Sequence, residues 1–172
     1  FLNSLFIKIL SKSDKDYLHG MVETILREMI INAVKANSKR VFFKKKSLDI
    51  LNENDYKTGM EEFKNFIINE ENHLSEVLKE YGYMVELCMK KDAEGFRIMV
   101  RNNTPLLPFE DKRIKERIEK ARTYNDFGEI YMDIADDSEG EGLGIPLTVL
   151  FLKNSGIGDK SFSIRTDGKI TQ

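Results

Sequence analysis

Leu18, Met21, Val22, Ile25, Leu26, Met29, Ile30 and Ala33 recur at three-and-four spacing, the period that lines one face of an α-helix with apolar side chains. Asp14 is placed to cap this helix, and the pattern predicts that it runs to about Lys35 or Asn37. Lys39 to Phe43 then predicts a short strand, and Lys44-Lys45-Lys46 a solvated loop or edge. Residues 47–58 are polar and turn-like. Met60, Phe63, Phe66, Ile67, Leu74, Val77 and Leu78 predict one helix or a broken pair over 59–81. Tyr83, Val85, Leu87 and Met89 alternate as in a strand, Asp92-Ala93-Glu94-Gly95 offers a hairpin turn, and Phe96, Ile98 and Val100 alternate on the return.

Pro105 and Pro108 break the chain before a charged helix predicted from about Phe109 to Arg122. Residues 123–139 show no clean period and carry Asp126, Glu129, Asp133, Asp136, Asp137 and Glu139, which predicts an acidic mobile loop. Leu143 to Lys153 is apolar nearly all round and predicts a buried helix. Pro146 is tolerable in its first turn, and Gly156 is placed to stop it. Ser161 to Arg165 predicts a strand and Asp167-Gly168 a tight turn. Lys169-Ile170-Thr171 then begins a last strand that is cut off.

Composition narrows the class. The 172 residues are expected to form a single domain over 1–172, with 41% hydrophobic and 33% charged residues as in a soluble globular chain. A net charge of −2 gives no pull towards nucleic acid or an anionic membrane. No run of 18 apolar residues is present, so no direct membrane insertion is expected. The one cysteine, Cys88, falls in a predicted strand; this excludes a disulfide framework and fits a reducing, cytoplasmic compartment. Phe1-Leu2-Asn3-Ser4-Leu5-Phe6 has no signal-peptide layout and no initiator Met, which suggests a piece of something longer.

Candidate chemistry lies in two places. Gly140-Glu141-Gly142-Leu143-Gly144-Ile145-Pro146 sets alternate glycines at the mouth of an apolar helix. Bare backbone N–H groups and the positive end of the helix dipole make such a mouth a seat for phosphate. On the first helix, at about 100° per residue, Asn32 falls about 40° from Glu28 and Lys35 about 20° to the other side. This trio sits on the margin of the apolar stripe, where a pocket wall would be. Asn32 can offer a neutral oxygen to Mg²⁺, Lys35 can meet a phosphate oxygen, and Glu28 can orient or deprotonate a nucleophile. His19 points to the opposite side of the wheel, and His73 is expected on a helix surface. Two histidines and one cysteine make a zinc site a poor reading.

Together these segments resemble the ATP-binding fold shared by gyrase, MutL and bacterial sensor histidine kinases, the GHKL or Bergerat superfamily. Residues 24–37, Thr-Ile-Leu-Arg-Glu-Met-Ile-Ile-Asn-Ala-Val-Lys-Ala-Asn, resemble its N box. Residues 140–145 resemble its second glycine box, and residues 104–119 the segment leading from its adenine box into the ATP lid. The segment order agrees, and the likeness covers most of residues 14–172. The chain departs at the adenine box, where Asn102 stands in place of the usual Asp and Thr104 and Leu106 replace both glycines. An Asn carbonyl can still accept the adenine amino proton. The stretch over about 44–80 is longer than the usual link and reads as a helical elaboration.

The resemblance implies an α+β two-layer sandwich, with a mixed, mainly antiparallel sheet and helices on one face. It implies ATP and Mg²⁺ as ligands, with a lid over about 106–141. Asn32 would carry the metal, Lys35 phosphate and Asn102 adenine; Gly140, Gly142, Leu143 and Gly144 would form the phosphate cradle, and Glu28 would be the base. The leading expectation is the catalytic domain of a histidine-kinase-like protein, delivering the γ-phosphoryl group to a histidine on another domain or chain. That phosphoacceptor lies outside this sequence, as would any segment forming a homodimer. Two alternatives stand beside it: a serine kinase and partner-switching module like the anti-sigma factors, and a nucleotide-sensing domain without turnover.

Overall fold

Val41, Phe42 and Phe43, which look locally like a strand, lie inside a helix. The computed structural model describes residues 19–70, 73–91, 93, 95–134, 143–158 and 161–172. The first described helix, α1, runs unbroken over His19–Lys45, 27 residues, and the predicted cap at Asp14 lies outside the described residues. The predicted strand from Lys39 to Phe43 is therefore corrected to helix, and the helix end moves from Lys35–Asn37 to Lys45. The chain divides into two compact units, one of residues up to Met29 with Pro108–Ile164, the other of Ile30–Leu107 with Arg165–Gln172.

In the second unit the cause of the longer helix is visible. Helices α2 (Glu53–Asn69) and α3 (Leu74–Glu80) are the broken pair expected over 59–81, with α2 starting earlier, inside the stretch read as turn-like. They cover the C-terminal half of α1. Val41 packs with Val77 and Leu78, while Phe42 and Phe43 pack with Phe63 and are flanked by Tyr56, Met60, Phe66 and Ile67. Burial of two aromatic rings and a valine, each of order 2 kcal/mol, outweighs the few tenths per residue by which such residues disfavour helix. Asn52 caps α2 by accepting the N–H groups of Asn54 (3.0 Å) and Asp55 (3.2 Å). Gly82, at φ +71°, ends α3: Gly82 N–H bonds Lys79 O and Tyr83 N–H bonds Leu78 O, both carbonyls that the helix leaves open.

Strands β1 (Val85–Lys91) and β2 (Phe96–Asn102) then pair antiparallel, with Val85 opposite Asn102 and Lys91 opposite Phe96. The predicted hairpin is present. Thr171 bridges to Asn102 at the end of β2 and also to Thr166. The predicted turn at Asp167-Gly168 closes that last hairpin, where Asp167 Oδ1 accepts the N–H groups of Lys169 and Ile170, each at 2.9 Å. These two bonds hold the Asp167 carboxyl below its ordinary range. Ser161 to Arg165 forms no strand; pairing begins only where Arg165 exchanges backbone hydrogen bonds with Gln172.

The first unit is helical. α4 (Pro108–Thr123) matches the predicted charged helix, with Pro108 at the first helical position, where its missing N–H costs nothing. α6 (Gly144–Asn154) matches the predicted buried helix. Gly156, at φ +69°, stops it through Gly156 N–H to Lys153 O and Ile157 N–H to Leu152 O. Between them the predicted loop contains a helix, α5 (Phe127–Ile134). Asp126 Oδ1 accepts the Glu129 N–H at 3.0 Å, and Glu129 Oε2 accepts the Asn125 N–H at 2.8 Å, a reciprocal cap of the kind that starts helices. Ala121, Tyr124, Ile130, Val149 and Leu150 form the core that joins α4, α5 and α6. The remainder of the predicted loop, 135–139, lies outside the described residues.

The chain is thus α+β, predominantly helical among the described residues, with a small two-stranded antiparallel sheet. No described helix is long and apolar enough to cross a membrane.

Candidate functional site

Four polar side chains meet in the second unit where β2 ends. Asn37, on α1, is wholly buried, and its Nδ2 donates to the backbone carbonyl of Met84 at 3.1 Å. Its Oδ1 accepts two hydrogen bonds, from Asn102 Nδ2 at 3.2 Å and Thr104 Oγ1 at 3.0 Å. Asn102 Nδ2 also donates to Thr104 Oγ1 at 2.8 Å. Thr171 Oγ1 donates to the Thr104 carbonyl at 2.7 Å, and the backbones of Asn102 and Thr171 exchange two hydrogen bonds, each 3.0 Å. Asn102 and Thr104 are 5% and 3% exposed. Buried amides and hydroxyls are tolerated only when so satisfied.

One atom of this cluster is left over. Asn102 Oδ1 has no hydrogen-bond partner among the described residues. Among the described residues it is an acceptor held in place with no donor opposite it. The loop that follows is anchored as well: Arg40, nearly buried, donates Nη1 to Ala36 O and Nη2 to Pro105 O, each at 2.9 Å.

The other predicted site residues stand as follows. Asn32 and Lys35 belong to the same unit as Asn102, on α1; Asn32 is exposed and Lys35 half-buried. Glu28, half-buried, is on the same uninterrupted helix but belongs to the first unit. Leu143 and Gly144 open α6 in that first unit. Leu143 makes no side-chain hydrogen bond to the first turn, and Pro146 has no N–H to satisfy. Gly140 and Gly142 lie outside the described residues. Among the described residues no group of three His, Cys, Asp or Glu side chains could hold a metal ion. A groove on the helical elaboration, lined by Phe42, Lys46, Glu62, Asn65, Phe66, Asn69 and Glu70, contains none of the predicted site residues.

In the sequence Asn37 marks only a predicted helix end, and Thr171 carries no predicted site role. A signal for Asn37 was present: it lies three residues after Val34 and four before Val41, on the row that faces the core. A polar residue on that row must find buried partners, and polar residues clustered in a core beside a strand end are a candidate site. Thr171 had no comparable mark.

No protein-family pattern matches the chain, and no solved structure does. The chain is similar to an uncharacterized protein of Treponema pallidum (strain Nichols), with 37% identity over 143 residues. The match covers 83% of this chain and 27% of the relative, so the chain spans about a quarter of that protein's length.

Proposed function

We propose that this chain is an Mg-ATP-binding domain of the GHKL type, a two-layer α/β sandwich that passes the ATP γ-phosphoryl group to a histidine on another domain or chain. The observation that supports it is the state of Asn102. The residue at the adenine-reading position ends a strand, is tied to the last hairpin through Thr171, and keeps one acceptor oxygen that has no partner among the described residues. That oxygen suits the amino group of adenine.

The remaining roles follow from the N box and the glycine box. Asn32, exposed on α1, would give Mg²⁺ a neutral oxygen; the ion prefers oxygen ligands and needs few from protein when phosphates supply the rest. Lys35 would offset phosphate charge. Gly144, with Gly140 and Gly142 before it and Leu143 between, would offer backbone N–H groups to phosphate oxygens. Glu28 would orient or deprotonate the attacking group. Phosphoryl transfer asks little covalent chemistry of a protein, so these groups would act by positioning and charge neutralisation.

The test is Asn32→Ala. Mg-dependent nucleotide affinity should disappear while far-UV circular dichroism and the unfolding midpoint stay as in the parent. Unchanged affinity sinks the site assignment. Glu28→Ala separates turnover from binding: a kinase should lose phosphoryl transfer and keep affinity, whereas a domain that only senses nucleotide should show no turnover in either form.

A further inference from the structure

We propose that Asn37 is a positioning residue that fixes the Asn102 carboxamide with its oxygen outward, and so makes the base-reading group accept only, selecting adenine over guanine. This rests on the nucleotide-binding reading above and adds a specificity residue to it.

A carboxylate can only accept, but an asparagine has a donor end and an acceptor end that exchange by a half-turn of the side-chain amide. A free Asn102 could accept from the amino group of adenine or donate to the oxo group of guanine, and would discriminate poorly between them. Here the half-turn is blocked by a chain of forced assignments. The Met84 carbonyl can only accept, so Asn37 must present Nδ2 to it, at 3.1 Å. Asn37 Oδ1 is thereby turned towards Asn102 and Thr104. The Thr104 hydroxyl spends its one proton on that oxygen, at 3.0 Å, and can only accept from Asn102. Asn102 therefore faces two acceptors, 3.2 and 2.8 Å away, and turns the donor group Nδ2 to both. Reversing Asn102 would set its oxygen against Asn37 Oδ1, with no proton between them, and strand buried groups without partners. The cluster thus gives a neutral asparagine the hydrogen-bonding character of a carboxylate.

The experiment is competition binding of ADP and GDP to the full chain in Mg²⁺, comparing the parent with Asn37→Ala and with Asn37→Ala/Asn102→Asp. The parent should favour ADP by about tenfold or more, the discrimination expected when a site's buried polar group is left unpaired by the wrong ligand. Asn37→Ala should bring the ADP:GDP ratio close to one. The double variant should restore it, because a carboxylate needs no orienting partner. A purely structural role for Asn37 would weaken both nucleotides together, keep the ratio, and show no rescue; that result overturns the proposal. So does a parent that binds both nucleotides equally, which leaves nucleotide binding itself standing. A parent that binds neither overturns the nucleotide reading, and this inference with it. If Asn37→Ala does not fold, the orientation is read in the parent by NMR. The Asn102 side-chain amide protons should be slowed in solvent exchange with and without ADP, and fast exchange of both protons contradicts the assignment.

Discussion

Thr171 holds Asn102 by two backbone hydrogen bonds of 3.0 Å, and its hydroxyl closes the cluster by bonding the Thr104 carbonyl at 2.7 Å. Thr171→Val keeps the shape and removes only the hydroxyl. Chemical denaturation should show a loss of about 1 kcal/mol, the net worth of one hydrogen bond with its acceptor left bare. Thr171→Ser retains the hydroxyl and should stay close to the parent. Equal losses in both variants would mean that the hydroxyl contributes nothing.

A Cβ built at Gly59 would stand 2.6 Å from Phe43 Cζ. Gly59 lies inside α2, where alanine ordinarily stabilises by about 1 kcal/mol. Here the Phe43 ring is buried and faces Phe42 and Tyr56, with centroids 5.7 and 5.8 Å away, so it has little room to yield. Gly59→Ala should therefore destabilise, by about 1–3 kcal/mol as overpacking does. Adding Phe43→Leu should relieve part of that loss. A Gly59→Ala chain more stable than the parent would show that α2 does not pack on Phe43 as described.

Tyr124 and Asp133 make the first unit sensitive to pH at both ends. The Tyr124 hydroxyl donates to Asp133 Oδ2, and Lys120 Nζ donates to Asp133 Oδ1 at 2.6 Å. Burial, with the Asp133 carboxylate beside it, pushes the Tyr124 phenol up to about 12 from 10.0. Its protonated form is thus favoured by folding: the contribution is complete below pH about 10 and is lost as pH rises through about 12. Asp133 is shifted the other way, with Lys120 and then Tyr124 holding its carboxyl below the usual range. Its contribution is present above the ordinary carboxylate pKa of 3.8 and is lost as pH falls through the lowered value. Phenolate absorbance of the parent minus that of Tyr124→Phe should titrate near pH 12. A midpoint near 10 contradicts the contact.

Much of the fold is legible in the sequence. The β1–β2 hairpin, α4 and α6 carry their own local signals: alternation with a glycine turn, a proline start, and an apolar run stopped by Gly156. Elements decided by distant partners were harder. Val41-Phe42-Phe43 has strand propensity and becomes helix only because Phe63, Val77 and Leu78, which follow in α2 and α3, bury it. α5 has a local signal of its own: Asp126 and Glu129 stand three residues apart as a helix start, although their shared charge also suits an acidic loop. The candidate site divides in the same way. Asn32, Lys35 and Asn102 are candidates from motif order alone, whereas the polarity of Asn102 depends on Asn37, Thr104 and Thr171, brought together by pairing across 65 residues or more of sequence.

Calorimetric titration with ADP and a non-hydrolysable ATP analogue, with and without Mg²⁺, tests the proposal that this chain binds nucleotide together with the metal. Binding should be saturable, strengthen when Mg²⁺ is present and be lost in Asn32→Ala. Absence of heat or competition for either nucleotide at millimolar concentration, in a chain that is folded by circular dichroism, would contradict it.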